Sequence, residues 1–93
     1  MTARVIPLLT AASAVAPGTA IYQPGINGSY IYQVTGTFVG TVKLQGSLDN
    51  TTWVDLAEHT AEAGGKVDSW LYIRGNVTAY TSGNITLNAF ATS

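Results

Sequence analysis

The chain has 93 residues, no cysteine and a formal net charge of −1 at neutral pH. Its length fits one domain, and without cysteine it can form neither a disulfide nor a cysteine-based zinc site. A single histidine, His59, cannot hold a transition metal by itself, and the sparse Lys and Arg residues leave no basic cluster for nucleic acid. Contact with other subunits is then the common remaining way to stabilise so small a domain.

The first element in the chain is an apolar N-terminus, "MTARVIPLLTAASAVAPGTA". It imitates a secretory signal peptide with a cleavage site at Ala14-Val15-Ala16, but Pro7 and Thr10 interrupt the apolar run. The run is also too short to cross a bilayer as a helix. We therefore predict a structural arm over residues 1–18 and a β-sandwich domain over residues 19–93.

Four apolar residues of this arm are predicted to hold the protein to its neighbours. The arm would add as a strand to another subunit, gaining main-chain hydrogen bonds as well as apolar burial. The residues are Val5, Ile6, Leu8 and Leu9.

From residue 19 onward the sequence has the spacing of turns and strands that is typical of an all-β protein. Turn-forming clusters such as Pro24-Gly25 and Gly64-Gly65 separate runs rich in Val, Ile, Thr and Tyr. Apolar and polar residues alternate in these runs, which predicts about seven strands in a small antiparallel β-sandwich or jelly roll. The predicted core-facing residues are Tyr30, Tyr32, Val34, Val42, Leu44, Val54, Leu56, Leu71, Ile73, Val77, Ile85, Leu87 and Ala89.

A hairpin corner is predicted within "LQGSLDNTTWVDL", residues 44–56. Asp49-Asn50 fits a tight turn, because Asn and Asp tolerate the left-handed backbone better than other non-glycine residues. The same two residues could help to bind a weak surface ion. Trp53, just after the turn, is predicted to fix the corner and a contact surface.

Residues that would support catalysis are few. His59 is the single candidate base, it sits in a predicted solvated loop, "AEHTAEAGG", and no G-x-S-x-G sequence presents a serine. Asp55 and Asp68 could in principle form a carboxylate pair, but both fall on predicted polar faces or loops. The "GGK" at 64–66 lacks the other residues of a phosphate loop. We predict no enzymatic activity, no catalytic residue, no cofactor and no metal.

Four aromatic residues alternate away from the predicted core: Trp53, Trp70, Tyr72 and Phe90. They could cap the sandwich edges, form a protein–protein interface, where aromatic residues are enriched, or stack against sugars. The low charged fraction, 10% of residues, fits equally a surface solvated by Thr, Asn and Ser and a surface that lies permanently against other protein.

Three segments in order resemble small β-sandwich virion proteins of tailed bacteriophages: "LLTAASAVAPGTA", "YQVTGTFVGTVKLQGSLDNTTWVDL" and "YIRGNVTAYTSGNITLNAF". Together they span nearly the whole chain. The resemblance rests on Gly36-Thr37-Phe38, Gly46-Ser47, Asp49, Trp53 and Tyr72-Ile73-Arg74.

The resemblance implies a structural protein bound to the outside of an assembled capsid, that is, a decoration or cement protein whose partner is the major capsid protein. It implies a homo-oligomer, with a trimer favoured, on the capsid surface of the virion and in the host cytoplasm during assembly, without contact with nucleic acid or membrane. The alternative is a tail or fibre binding module that contacts host surface glycans.

Arg74 is the cation best placed to hydrogen-bond across such a contact, since its planar fork can hold a carboxylate at two points. The complete predicted interface is Val5, Ile6, Leu8, Leu9, Trp53, Tyr72, Arg74 and Phe90.

Overall fold

The fold is described from a computed structural model that covers residues 4–22 and 28–91. None of the described residues is helical, and they form nine strands. The strands are β1 (Arg4–Ala12), β2 (Ala16–Pro17), β3 (Ile21–Tyr22), β4 (Ser29–Thr35), β5 (Phe38–Ser47), β6 (Val54–His59), β7 (Ala63–Asp68), β8 (Tyr72–Gly83) and β9 (Ile85–Ala91). Residues 1–3 of the predicted arm and the predicted turn at Pro24-Gly25 lie outside the described residues.

The strands form two antiparallel sheets that pack face to face, which confirms the predicted all-β sandwich. One sheet has four strands in the order β1-β9-β4-β7. The other has five, in the order β2-β8-β5-β6 with β3 also paired to β8. Seven of the strands, β3 to β9, begin after residue 19, as predicted, and β1 and β2 add to them from the N-terminal segment.

Alternation places one side of each long strand in the core between the sheets. Along β4 and β9 the burial follows a period of two, because successive side chains of a strand point to opposite faces. Burying a large aliphatic side chain stabilises the fold by about 1.5–3 kcal/mol. The buried apolar residues are Ile6, Leu8, Leu9, Tyr30, Tyr32, Val34, Val42, Leu44, Ile73, Val77, Ile85, Leu87 and Ala89.

The predicted N-terminal arm is part of the sandwich itself. β1 pairs along its length with β9, and its register shifts between Pro7 and Leu9. Such an irregularity interrupts the strict alternation of a strand, so the consecutive residues Leu8 and Leu9 are both buried, together with Ile6. A backbone hydrogen bond of 2.7 Å from Gly18 to the carbonyl of Gly75 ties the end of this segment to β8. These three apolar residues therefore lie inside their own domain, whereas the sequence predicts them at an interface with neighbouring subunits.

Two other predicted orientations are corrected by the structure. The register between β5 and β6 shifts between Leu44 and Gln45, and Val54, predicted in the core, is 43% exposed. Trp70, predicted to point away from the core, packs against it. Its ring lies over Gly46, where an added Cβ would be 2.7 Å from the indole.

His59 ends strand β6 and links the two sheets. Its Nε2 is hydrogen-bonded to the hydroxyl of Tyr32 on β4, with 2.7 Å between the two atoms. The predicted solvated loop around His59 is shorter than expected, because β7 begins at Ala63 and pairs with β4. This histidine is thus held by a core tyrosine.

Truncating Leu8 tests the assignment of β1 to the core. We expect Leu8→Ala to lower the free energy of unfolding by about 2–5 kcal/mol, because it leaves a cavity between the sheets. The control is Thr10→Ala on the same strand, which removes an exposed side chain and should change stability by less than about 0.5 kcal/mol. Urea unfolding followed by tryptophan fluorescence measures both. Equal, small losses would mean that residues 4–12 form a dispensable arm.

Adding a methyl group at Gly46 tests the inward position of Trp70. Gly46→Ala should destabilise the fold by about 1–3 kcal/mol, since the indole must move. Gly64→Ala is the matched control, because its Cβ would meet only the carbonyl oxygen of Tyr32, at 3.4 Å. Differential scanning calorimetry should give a lower Tm for the first variant alone. An unchanged Tm for Gly46→Ala would place Trp70 outside the core.

Candidate functional site

The outer face of the five-stranded sheet bears a connected network of polar side chains. Gln45 on β5 lies at its centre: its Nε2 donates to Asp55 Oδ1 at 2.8 Å, and its Oε1 accepts from Arg74 Nε at 2.9 Å and from Asn76 Nδ2 at 3.3 Å. Lys43 Nζ donates to the other carboxylate oxygen of Asp55 at 2.9 Å. The amide of Gln45 thus links an anion on β6 to a cation on β8.

This network stabilises the charged forms of its ion pair. Hydrogen bonds from Gln45 and Lys43 lower the pKa of Asp55, and the hydrogen bond to Asp55 raises the pKa of Lys43. Glu58 lies 3.6 Å from the same ammonium group. Asp55 is therefore already neutralised by neighbouring residues of its own chain.

Arg74 differs from Lys43 because no carboxylate of the described residues pairs with it. Gln45 holds its Nε, and its guanidinium carbon lies 4.2 Å from the ring centroid of Trp53. Tyr72, two residues before Arg74 on the same face of β8, packs against Tyr22 with 5.0 Å between ring centroids. We call these residues, Tyr22, Trp53, Tyr72 and Arg74, the Arg74 surface. Its cation is fixed in position and its terminal nitrogens have no partner within the described part of the chain.

The corner before Trp53 is a six-residue loop between β5 and β6, longer than the predicted tight turn. Asn50 has the expected left-handed backbone, with φ of 61°. Asp49 Oδ1 accepts hydrogen bonds from the Ser47 hydroxyl and from the amides of Thr51 and Thr52, at 2.8–2.9 Å. These bonds lower the pKa of Asp49. One carboxylate oxygen is thus occupied within the loop, and the loop positions Trp53 beside Arg74.

The outer face of the four-stranded sheet has a different character. Val5, Phe90 and Ile31 are direct neighbours on β1, β9 and β4, and they form an apolar row in which Val5 is 62% and Ile31 47% exposed. In the adjacent row, Asn88 lies opposite Gln33. An open groove of about 810 Å³ runs over both rows.

The eight predicted interface residues therefore separate into three places. Ile6, Leu8 and Leu9 are in the core. Trp53, Tyr72 and Arg74 come together on the five-stranded sheet. Val5 and Phe90 come together on the four-stranded sheet, on the opposite side of the sandwich.

Sequence reasoning missed two residues that matter on these faces. Gln45 is predicted on a polar face, yet it is only 8% exposed, since its neighbours across three strands cover it. Ile31 is predicted to point away from the core, as it does, but its place beside Phe90 depends on the pairing of β4 with β9. The outward position was visible from alternation, whereas the neighbours were not.

The two carboxylates that could have formed a catalytic pair lie apart in the fold. Asp55 is on β6 and Asp68 on β7, in different sheets. Among the described residues, no group of three or more His, Cys, Asp or Glu side chains could hold a metal ion. Within residues 4–22 and 28–91, no helix is long and apolar enough to span a membrane.

The corner loop should make the protein sensitive to acid. The pKa of Asp49 is lower in the folded state than in the unfolded chain, so its contribution is present above about pH 4 and is lost as the pH falls through the folded pKa. We expect the urea midpoint to fall as the pH drops below about 4, and to fall less in Asp49→Asn, which cannot titrate. Identical acid dependence in the two proteins would contradict this role.

The fold is similar to that of a known phage-derived protein. It matches the crystal structure of the SPBc2 prophage-derived protein YomS with a TM-score of 0.84, covering 99% of this chain and 94% of that chain at 12% sequence identity. The sequence matches no protein-family model and no curated protein. At this identity the likeness concerns the fold alone. The chain therefore shares its small all-β fold with a prophage-derived protein.

Proposed function

We propose that this protein is a non-enzymatic structural component of a phage virion that binds the outside of the assembled capsid. Its partner is the major capsid protein, its place is the capsid surface, and it reaches that surface in the host cytoplasm during assembly. The fold shared with a prophage-derived protein supports a phage origin. The resemblance of the three sequence segments suggests a capsid decoration protein, and the scarcity of charge agrees with it.

The observation on which the proposal rests is the Arg74 surface. Protein–protein contacts draw most of their binding energy from a few residues, among which Trp, Tyr and Arg are enriched. Here Trp53, Tyr72 and Arg74 meet on one face, and all three are partly exposed. A sheet face with this composition has the features of the centre of an interface.

The geometry of Arg74 favours a carboxylate from the capsid protein. Gln45 and Trp53 already hold the guanidinium group, so little side-chain entropy remains to be lost on binding. The terminal nitrogens are without partners in the described residues, and a planar fork can bind a carboxylate at two points. An Asp or Glu side chain of the capsid would therefore complete the network.

The scarcity of charge agrees with a protein that is largely covered in its working state. Charged residues are 10% of the chain, compared with about 25% in typical soluble domains. Large apolar side chains are exposed on both sides of the sandwich: Tyr22, Val39 and Val54 on the five-stranded sheet, and Val5 and Ile31 on the four-stranded sheet. A homo-oligomer, with a trimer favoured, would cover part of this area.

The proposed mechanism is preferential binding to the assembled state. A protein that contacts two neighbouring capsid subunits binds the intact shell but not the separated subunits. Each occupied site then stabilises the shell by about 2.7 kcal/mol when the free protein is at 100 times its Kd. Repeated over the symmetric shell, such contributions raise the temperature at which the capsid comes apart.

Replacing Arg74 tests the proposal on purified capsids that lack the protein. We expect Arg74→Ala to weaken capsid binding by at least about 1 kcal/mol, the usual mark of an interface residue that matters. Lys66→Ala is the matched control, because it removes an exposed cation from β7 of the other sheet and should bind normally. Arg74→Lys should bind nearly as weakly as Arg74→Ala, since lysine keeps the charge but lacks the fork. Co-sedimentation measures occupancy, and thermal unfolding of the free variants checks that they are folded.

Counting copies per particle separates this proposal from its alternative. A decoration protein should be present in a number set by the repeated positions of the shell, and the capsid should disassemble at a higher temperature when it is bound. A few copies per particle, located with the tail, would instead support a tail or fibre module. Full capsid occupancy by Arg74→Ala would show that another face makes the contact.

A further inference from the structure

The groove on the four-stranded sheet has two carboxamides at its floor. Asn88 on β9 and Gln33 on β4 are register partners, and both line the groove. Neither side-chain amide is hydrogen-bonded within the described residues. Each offers both N–H donors and a carbonyl acceptor, so two adjacent amides present donors and acceptors side by side.

An apolar edge runs beside these amides. Phe90 on β9 lies between Val5 and Ile31, one row along from Asn88. Phe90 is partly exposed. The face of an aromatic ring has a negative electrostatic potential, which attracts the positively polarised hydrogen of a C–H bond. The groove thus combines an aromatic ring with neutral hydrogen-bonding groups.

Gly64 leaves the other side of the groove open. It lies on β7 and pairs with Gln33 of β4, and a Cβ added there would meet only the carbonyl oxygen of Tyr32, at 3.4 Å. Space beside Gln33 is therefore not filled by protein. The groove volume of about 810 Å³ falls within the range of about 300–1,000 Å³ that is typical of small-molecule sites.

From these observations we infer that the groove binds a neutral carbohydrate. Sugar hydroxyls donate and accept hydrogen bonds, which matches the paired amides of Gln33 and Asn88, and the C–H face of a sugar ring matches Phe90. Among the described residues that line the groove, none is Lys or Arg; Lys66 on β7 lies at its edge, as the register partner of Ile31. The carboxylate in the lining, Glu62, already accepts a hydrogen bond from the amide of Gly36 at 3.0 Å.

This inference goes beyond the proposed capsid contact. The groove and the Arg74 surface are on opposite faces of a molecule whose smallest extent is 16 Å. A protein attached through the Arg74 surface would therefore present the groove outward. Carbohydrate binding is tested on the free protein, so its outcome does not depend on whether the capsid contact exists.

The probe is an array of neutral hexose and N-acetylhexosamine oligosaccharides, with sialylated and uronic-acid oligosaccharides beside them. We expect binding to neutral members, and the side-chain amide signals of Asn88 and Gln33 should shift in NMR spectra when the best of them is added. Two variants should lower the affinity by at least about tenfold: Gln33→Leu, which removes an amide, and Gly64→Val, which fills the groove. Thr78→Val, at an exposed position on β8 of the other sheet, is the control and should bind like the parent.

Three outcomes would overturn the inference. The first is no binding to any neutral oligosaccharide at millimolar concentration, and the second is binding confined to the acidic ones. The third is a self-associating protein in which Gly64→Val changes the sedimentation coefficient without any effect of sugar, which would make the groove a contact between copies. Thermal unfolding of Gln33→Leu and Gly64→Val confirms that a loss of binding is not a loss of fold.

Discussion

The structure depends on burying one side of every long strand between two sheets. A chain without cysteine, of this length, has no covalent cross-link to stabilise it, so the sandwich needs all the apolar surface that it can bury. This explains why the N-terminal segment is recruited as β1. Without β1 and its residues Ile6, Leu8 and Leu9, β9 would become an edge strand and the core would be open along one side.

Once the inward positions are filled, the outward positions are free to differ, and the two outer faces do. On the five-stranded sheet, side chains from three strands bind one another through Gln45, and the result is a cation held in one place. On the four-stranded sheet, the side-chain amides of Gln33 and Asn88 have no hydrogen-bond partner among the described residues. The first face is organised for one charged partner group, whereas the second offers neutral donors and acceptors beside an aromatic ring. Under the two proposals, the protein attaches to the capsid by the first face and binds a carbohydrate by the second.

A shared fold at low sequence identity is consistent with this division. Many sequences fill a small β-sandwich core, because apolar residues of suitable volume in the right alternation are sufficient to specify it. The outward residues are not needed for that purpose and can change without loss of the fold. What the protein binds must therefore be argued from its outer faces rather than from its architecture.

Local alternation alone determined the all-β class and the strands β4 and β9. It also determined their core residues, such as Tyr32 and Leu87, because the orientation of a side chain within one strand depends only on its immediate neighbours. The left-handed residue at the corner, Asn50, was visible for the same reason. Only the tertiary structure decided that β1 belongs to the core, that Trp70 points inward and that the predicted contact residues divide between two faces. Those features depend on which strands pair and where their register shifts, and pairing between strands far apart in the chain is selected by packing of the whole core. The groove follows from the same cause, since β4 and β9, which supply its amides, are far apart in the chain and become neighbours only in the folded sheet.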